Sequence, residues 1–193
     1  MTNTMEKTMA RLHDPDPDHI PEDVGQFLST LPPDPMFRML SHSVTTVQPL
    51  LALARSLYTS LNLPVRTREL AILVLADLID STFVWTQHVP ISGQAGIDDR
   101  VRRLVKSRNY DDPELALADR IVAQFVSAVI GGPTVSDELF TALRDVLSER
   151  EIVELLQVIG YYWTFGRIST VLEVELTHMY GQEYEATFLD TEK

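Results

Sequence analysis

Arg66-Thr67-Arg68-Glu69-Leu70-Ala71-Ile72-Leu73 opens a run that stays apolar to Ile79, and after Asp80-Ser81 comes Phe83-Val84-Trp85-Thr86-Gln87-His88-Val89-Pro90. Pro64 precedes the first run, where a missing N–H costs nothing, so it opens as a helix. Leu70 to Ile79 is about half the ~20 apolar residues a bilayer span needs, and it contains Asp77. The first run therefore reads as a strongly apolar helix of a soluble protein. Asp80 and Ser81 mark a joint before a second helix from Phe83 to Gln94, which Gly96 ends.

Outward from this pair the pattern stays helical. Asp98-Asp99 start a short basic helix to Lys106. Pro113 opens another, with Leu117, Ile121, Phe125 and Ala128 on one face, and Gly131-Gly132-Pro133 stops it. Ser136 with Asp137 and Glu138 caps a helix to Leu147. Ser148 and Glu151 form a capping box for a long helix towards Met179. Gly160 and Gly166 interrupt that helix, and close packing against another helix is the expected compensation. On the N-terminal side, Thr45 with Gln48 reads as a capping box, with Pro49 in the first turn and Leu50, Leu53, Leu57 and Leu61 recurring. No stretch alternates as a strand. The fold class is all-α, with about eight helices.

Residues 1–44 read as a separate arm, and 45–193 as the domain. The arm is rich in proline and aspartate (His13-Asp14-Pro15-Asp16-Pro17-Asp18, then Leu31-Pro32-Pro33-Asp34-Pro35). Such density disfavours helix and predicts extended or partly disordered chain, with one short helix over Glu22 to Thr30. Met36 to Leu40 is apolar enough to pack back on the core.

Net charge is −12 over 193 residues, with 45% hydrophobic and 23% charged residues. This excess of acid argues against nucleic acid and anionic membrane partners. The polar, acidic N-terminus is no signal peptide, so the expected location is cytoplasmic. No cysteine is present, which excludes thiol peroxidase and disulfide chemistry. Five histidines, at 13, 19, 42, 88 and 178, show no metal-ligand spacing, and no metal is expected.

Two groups stand out as chemistry. Glu69 and His88 lie on consecutive helices, where a carboxylate and an imidazole can meet in an antiparallel pair, and such a pair can shuttle a proton. Ser81, Val84 and His88 share a helical face, with Trp85 one turn before His88. From residue types alone other roles stay open. Glu69 also fits a partner of the helix dipole or of Arg66 or Arg68, and His88 fits a satisfied structural group. Tyr161-Tyr162-Trp163 with Phe165 fits core or subunit interface as well as a pocket. His42 either covers a pocket mouth beside Phe37 or hydrogen-bonds the arm.

Three stretches together resemble the carboxymuconolactone decarboxylase and alkyl hydroperoxidase D-like superfamily: Arg68 to Leu73; Trp85 to Ile91 with Ala95-Gly96; and Val135 to Leu139 through Ile159 to Tyr162, closing on Arg167 and Val174-Glu175-Leu176. The arm is similar to the N-terminal extension of longer, cysteine-free members. The resemblance implies an all-α fold assembled as a homo-oligomer, a trimer or hexamer. It places the family's Glu and His on Glu69 and His88, and its two cysteines on Ser81 and Val84. It implies cofactor-independent, lyase-type proton chemistry, such as decarboxylation, on a small apolar or aromatic acid or lactone. A non-catalytic binding or scaffold protein of the same fold is the alternative. Val84 stands where relatives carry Glu, and Trp163 where a polar residue is common, so the expected pocket is more apolar. The substrate-binding set expected around the pair is Trp85, Ser81, Val84, Phe37, His42, Tyr162, Trp163 and Arg167, and either Arg38 or Arg167 is expected to hold a carboxylate.

Overall fold

A computed structural model describes residues 10–176. Among them the chain forms a short 3-10 turn at Pro17–His19 and nine α-helices. These are α1 (Glu22–Ser29), α2 (Pro35–Leu40), α3 (Val47–Thr59), α4 (Val65–Leu78), α5 (Thr82–Gln94), α6 (Asp99–Lys106), α7 (Leu117–Gly131), α8 (Asp137–Arg144) and α9 (Glu149–Val171). No residue in this range is in a strand.

The apolar helix α4 is the axis of the fold. All ten residues from Arg68 to Asp77 are buried, as expected of a helix that is apolar around most of its circumference. It packs chiefly on α5, α7 and α9, with α6 across its end. Asp80 turns the chain in the left-handed region at φ 54, and Ser81 caps α5 by accepting from the Val84 N–H. Asp98, Ser136 and Ser148 cap α6, α8 and α9 in the same way, and the Ser148–Glu151 box is reciprocal.

Several boundaries differ from the sequence reading. The helix expected from Thr45 starts at Val47; Thr46 is its N-cap residue and makes no side-chain cap bond. Its buried stripe is Val47, Leu51, Ala54 and Leu57, centred on a face round the helix from Leu50 and Leu53, each residue standing about 100° from the last. Leu53 is exposed as a result. Pro113 does not open α7: the Asp112 carboxylate accepts from the Glu114 N–H in a tight turn, and the helix begins at Leu117, which is exposed. Helix α8 ends at Arg144 rather than Leu147. The last helix ends at Val171; Met179, its expected end, and His178 lie outside the described residues.

The arm is more ordered than its prolines predict. Pro35 sits in the first turn of α2, where proline is tolerated. Met36, Phe37, Met39 and Leu40 join the same core as α3 to α9. Arg38 ties α2 to both ends of the described chain, through Asp14 at 3.1 Å and Glu175 at 3.5 Å.

The two glycines of α9 behave differently. A Cβ on Gly166 would lie 2.5 Å from Ile79 Cδ1 and 3.3 Å from Ser81, so α9 crosses the α4–α5 joint at its closest there. Gly166→Ala is expected to cost about 1–3 kcal/mol through overpacking, read as a lower urea midpoint at unchanged slope. A Cβ on Gly160 would meet nothing within 4 Å. It faces outward, so no close packing among the described residues accounts for it.

Candidate active site

Helix α4 carries Glu69 in its second turn, past the first-turn position that a simple dipole partner takes. The side chain has no exposed surface. Helix α5 runs back along α4 and brings His88 to it, 3% exposed, with Nδ1 2.7 Å from Glu69 Oε2. The other carboxylate oxygen accepts from Arg68 Nε at 2.9 Å. The two sequence readings of Glu69, an Arg68 partner and a His88 partner, therefore hold together.

Arg68 has a second task. Its Nη1 donates to the carbonyls of Leu57 and Tyr58 at 3.2 and 3.3 Å, a cation on the last carbonyls of α3. Its guanidinium also lies 4.4 Å from the centroid of the Tyr58 ring. This fixes the end of α3 and sets Tyr58 beside the imidazole. Tyr58 OH stands 3.5 Å from His88 Nε2 and 2.8 Å from Tyr162 OH. Nothing in the sequence singled out Tyr58, which is brought in by a helix far away in the chain.

Burial alone pushes the Glu69 carboxyl up, but the His88 ring and the Arg68 guanidinium outweigh it and hold it below its ordinary value. An ionised carboxylate only accepts hydrogen bonds, so the proton on the shared edge belongs to His88 Nδ1. In the neutral ring Nε2 is then the free base. Burial, with Tyr58 and Glu69 nearby, raises the Tyr162 hydroxyl well above its usual value, so it stays protonated and able to donate.

His88 opens on a small chamber. Its apolar walls are Phe83, Val84 and Phe165, with Tyr161 and Tyr162 beside them and the Tyr162 ring edge-on to the imidazole at 4.9 Å. Gln87 and Asp34 complete the wall. Gln87 Oε1 and Tyr161 OH are buried here with no hydrogen-bond partner among the described residues. The volume open to a water centre is ≈ 10 Å³, roughly what one water needs. No Arg or Lys lines the chamber.

Of the expected binding set, Val84 and Tyr162 line this chamber and the others do not. Trp85 faces the other way, under Lys106 Nζ at 3.8 Å, in a groove with Arg102 and Arg103. Ser81 is spent on capping α5 and on Ser169 Oγ at 3.3 Å. Trp163 is 46% exposed on the outer face of α9, because it is one residue, about 100°, round the helix from Tyr162. Arg167 is exposed and reaches the Ile79 carbonyl. His42 hydrogen-bonds the His13 carbonyl at 2.9 Å, the arm-holding alternative. Phe37 lines a separate, larger pocket within the arm, as does Arg38. Among the described residues no three His, Cys, Asp or Glu side chains converge as metal ligands, and no helix is long and apolar enough to cross a membrane.

No family model matches the chain, and no curated protein matches it. Solved structures do. A peroxidase-related protein of Ralstonia eutropha, described as an alkylhydroperoxidase AhpD core, aligns with a TM-score of 0.73 at 16% identity, over 88% of this chain and 93% of its own. A peroxidase-related protein of Silicibacter aligns at 0.67 and 16% identity, over 97% and 100%. A protein of unknown function from Agrobacterium tumefaciens, described as a candidate antioxidant defence protein AhpD, aligns at 0.62 and 24% identity, over 68% and 90%. At these identities the likeness establishes the fold, and the chain has the all-α AhpD-like fold.

Proposed function

We propose that this AhpD-like fold carries a cofactor-independent, lyase-type enzyme in which His88, held by Glu69, moves a proton on a small, largely apolar substrate. The observation that carries the reading is the buried chain Arg68–Glu69–His88, ending on a chamber with two unpartnered polar groups. His88 takes a proton through Nε2 from an acidified C–H and returns it at carbon; in a decarboxylation the substrate's own carboxylic-acid proton passes to Nε2 before carbon dioxide leaves, and Nε2 then gives it to the enolate-like carbon. The imidazolium formed in between is stabilised by the Glu69 carboxylate. The Tyr162 hydroxyl, kept protonated, is placed to donate to the developing oxyanion. With no cation on the chamber wall, recognition falls to apolar contact, and a carboxylate clamp by Arg38 or Arg167 is not part of the reading.

The test is solvent-deuterium incorporation, followed by NMR, into a panel of unsaturated γ-lactones and enolisable aryl ketones, with carbon dioxide release from the corresponding lactone acids. Accelerated exchange or release that disappears with His88 supports the enzyme. The chamber's volume of ≈ 10 Å³ supports a second reading, a non-catalytic binding or scaffold protein. Tight binding of the same compounds without exchange or release selects that one.

Assembly into a homo-oligomer belongs to the same proposal. Val153, Leu156, Trp163 and Val171 are exposed large apolar side chains of α9, and with Gly160 they share one helical stripe. A second copy of the chain is the occupant proposed for this stripe, with Gly160 allowing close approach. Trp163→Glu is expected to convert the oligomer to monomer in light scattering; a wild-type monomer refutes the assignment.

A further inference from the structure

The larger pocket lies within the arm, lined wholly by residues from Asp14 to Ser41, with a volume of ≈ 440 Å³. That is within the usual range for a small-molecule site. Pro15, Pro17, Pro32 and Pro33 line it together with Ile20 and Leu28, and Leu31 and Phe37 add to the same wall. Prolines bring no N–H, so this wall offers few donors. Its polar side is Asp14, Asp34, Arg38 and Ser41, whose hydroxyl donates to the Arg38 carbonyl at 2.6 Å. Arg38 already faces the carboxylates of Asp14 and Glu175, whose charge offsets what it offers an anionic ligand. Asp34 is 2% exposed, and one of its oxygens accepts from the Met36 N–H at 2.7 Å. It belongs to the walls of both this pocket and the His88 chamber.

We propose that the arm pocket is a binding site for an uncharged, mainly apolar ring compound carrying one hydroxyl donor, which the Asp34 carboxylate accepts. The walls account for the apolar ring, the paired Arg38 for the lack of charge, and the buried acceptor for the hydroxyl. A compound held here abuts the His88 chamber across the Asp34 wall. The arm supplies the whole lining of this site, and Asp34 is the lining residue that also borders the His88 chamber. The inference stands on the pocket and does not require catalysis.

The probe is 2-naphthol, titrated into the full chain by calorimetry, with 2-naphthoate as its charged counterpart. Leu31→Trp fills the pocket, and Leu28→Trp is the second blocking variant should the first misfold by circular dichroism. Asp34→Asn keeps an oxygen for the Met36 N–H while turning half of the carboxylate into a donor. The expected result is saturable 2-naphthol binding that is lost in the blocking variant and weakened about tenfold or more in Asp34→Asn. Naphthoate is expected to bind at least about tenfold more weakly than naphthol. His88→Gln should bind 2-naphthol as the wild type does, which separates this site from the relay. No binding up to the solubility limit, or binding indifferent to both blocking variants, overturns the site. Equal binding of naphthoate, or no effect of Asp34→Asn, overturns the assigned chemistry of the ligand.

Discussion

Glu69→Ala is expected to lower stability by about 3–5 kcal/mol at neutral pH, because it leaves the Arg68 charge buried without its carboxylate. Arg68 is 4% exposed. It keeps two carbonyls and the Tyr58 ring after the change, but no counter-ion. The penalty is that of an uncompensated buried cation rather than the worth of one contact. Removing both charges together, in Arg68→Met with Glu69→Leu, should therefore recover much of the loss. Urea unfolding of the single and double variants measures this directly; a wild-type midpoint for Glu69→Ala would refute it. The pH dependence has a definite sign. The Glu69 carboxyl is held below its ordinary value of 4.5 in the folded state, so its stabilising contribution is present above that value and is lost as pH falls through the folded one. Asp34 runs the other way: burial, only partly offset by the Met36 and Phe37 N–H groups and by Arg38, raises its carboxyl. Its contribution is complete below its ordinary value of 3.8 and is lost as pH rises through the raised one.

His88→Gln should remove about 10²–10⁴-fold of any deuterium exchange or carbon dioxide release found for the wild type, the usual worth of a positioned acid–base group. Glutamine retains a donor for Glu69 but no ring nitrogen that can take up and return a proton. The Arg68–Glu69 pair, 2.9 Å apart in the wild type, is retained in the variant, so the fold is expected to survive. This makes the variant a cleaner probe of chemistry than Glu69→Ala, which combines both effects. Rates within a few-fold of wild type would end the enzyme reading, since no other described side chain on the chamber wall is an imidazole. The readout is the rate constant at saturating substrate.

Much of the helical order was legible in the sequence. Ser81, Asp98, Ser136 and Ser148 cap the helices that follow them, because an N-cap is settled by residues within three positions of each other. The apolar run of α4 announced its own burial. The Glu69–His88 contact was one of the roles the sequence left open, since the two residues sit on consecutive helices. Among the expectations that failed, the capping box at Thr45 and the helix start at Pro113 were local ones, and the others were long-range. Leu117 and Leu53 fit a helical pattern yet face outward, since periodicity names a stripe and neighbouring helices decide which part of it is covered.

Local residues thus determined which segments are helices, where most of them start, and that thiol chemistry is closed to this chain for want of any cysteine. Tertiary structure alone decided which side chains meet. It turned Trp85 towards Lys106 and away from His88, left Trp163 outside while burying Tyr162, and brought Tyr58 from α3 to the imidazole. It also placed Asp34, in an arm whose short helix from Glu22 the sequence had suggested, in the wall between two cavities. The physical reason is range. Capping and helix propensity act over one turn of chain, whereas a pocket wall is set by how several helices, distant in sequence, pack their surfaces together.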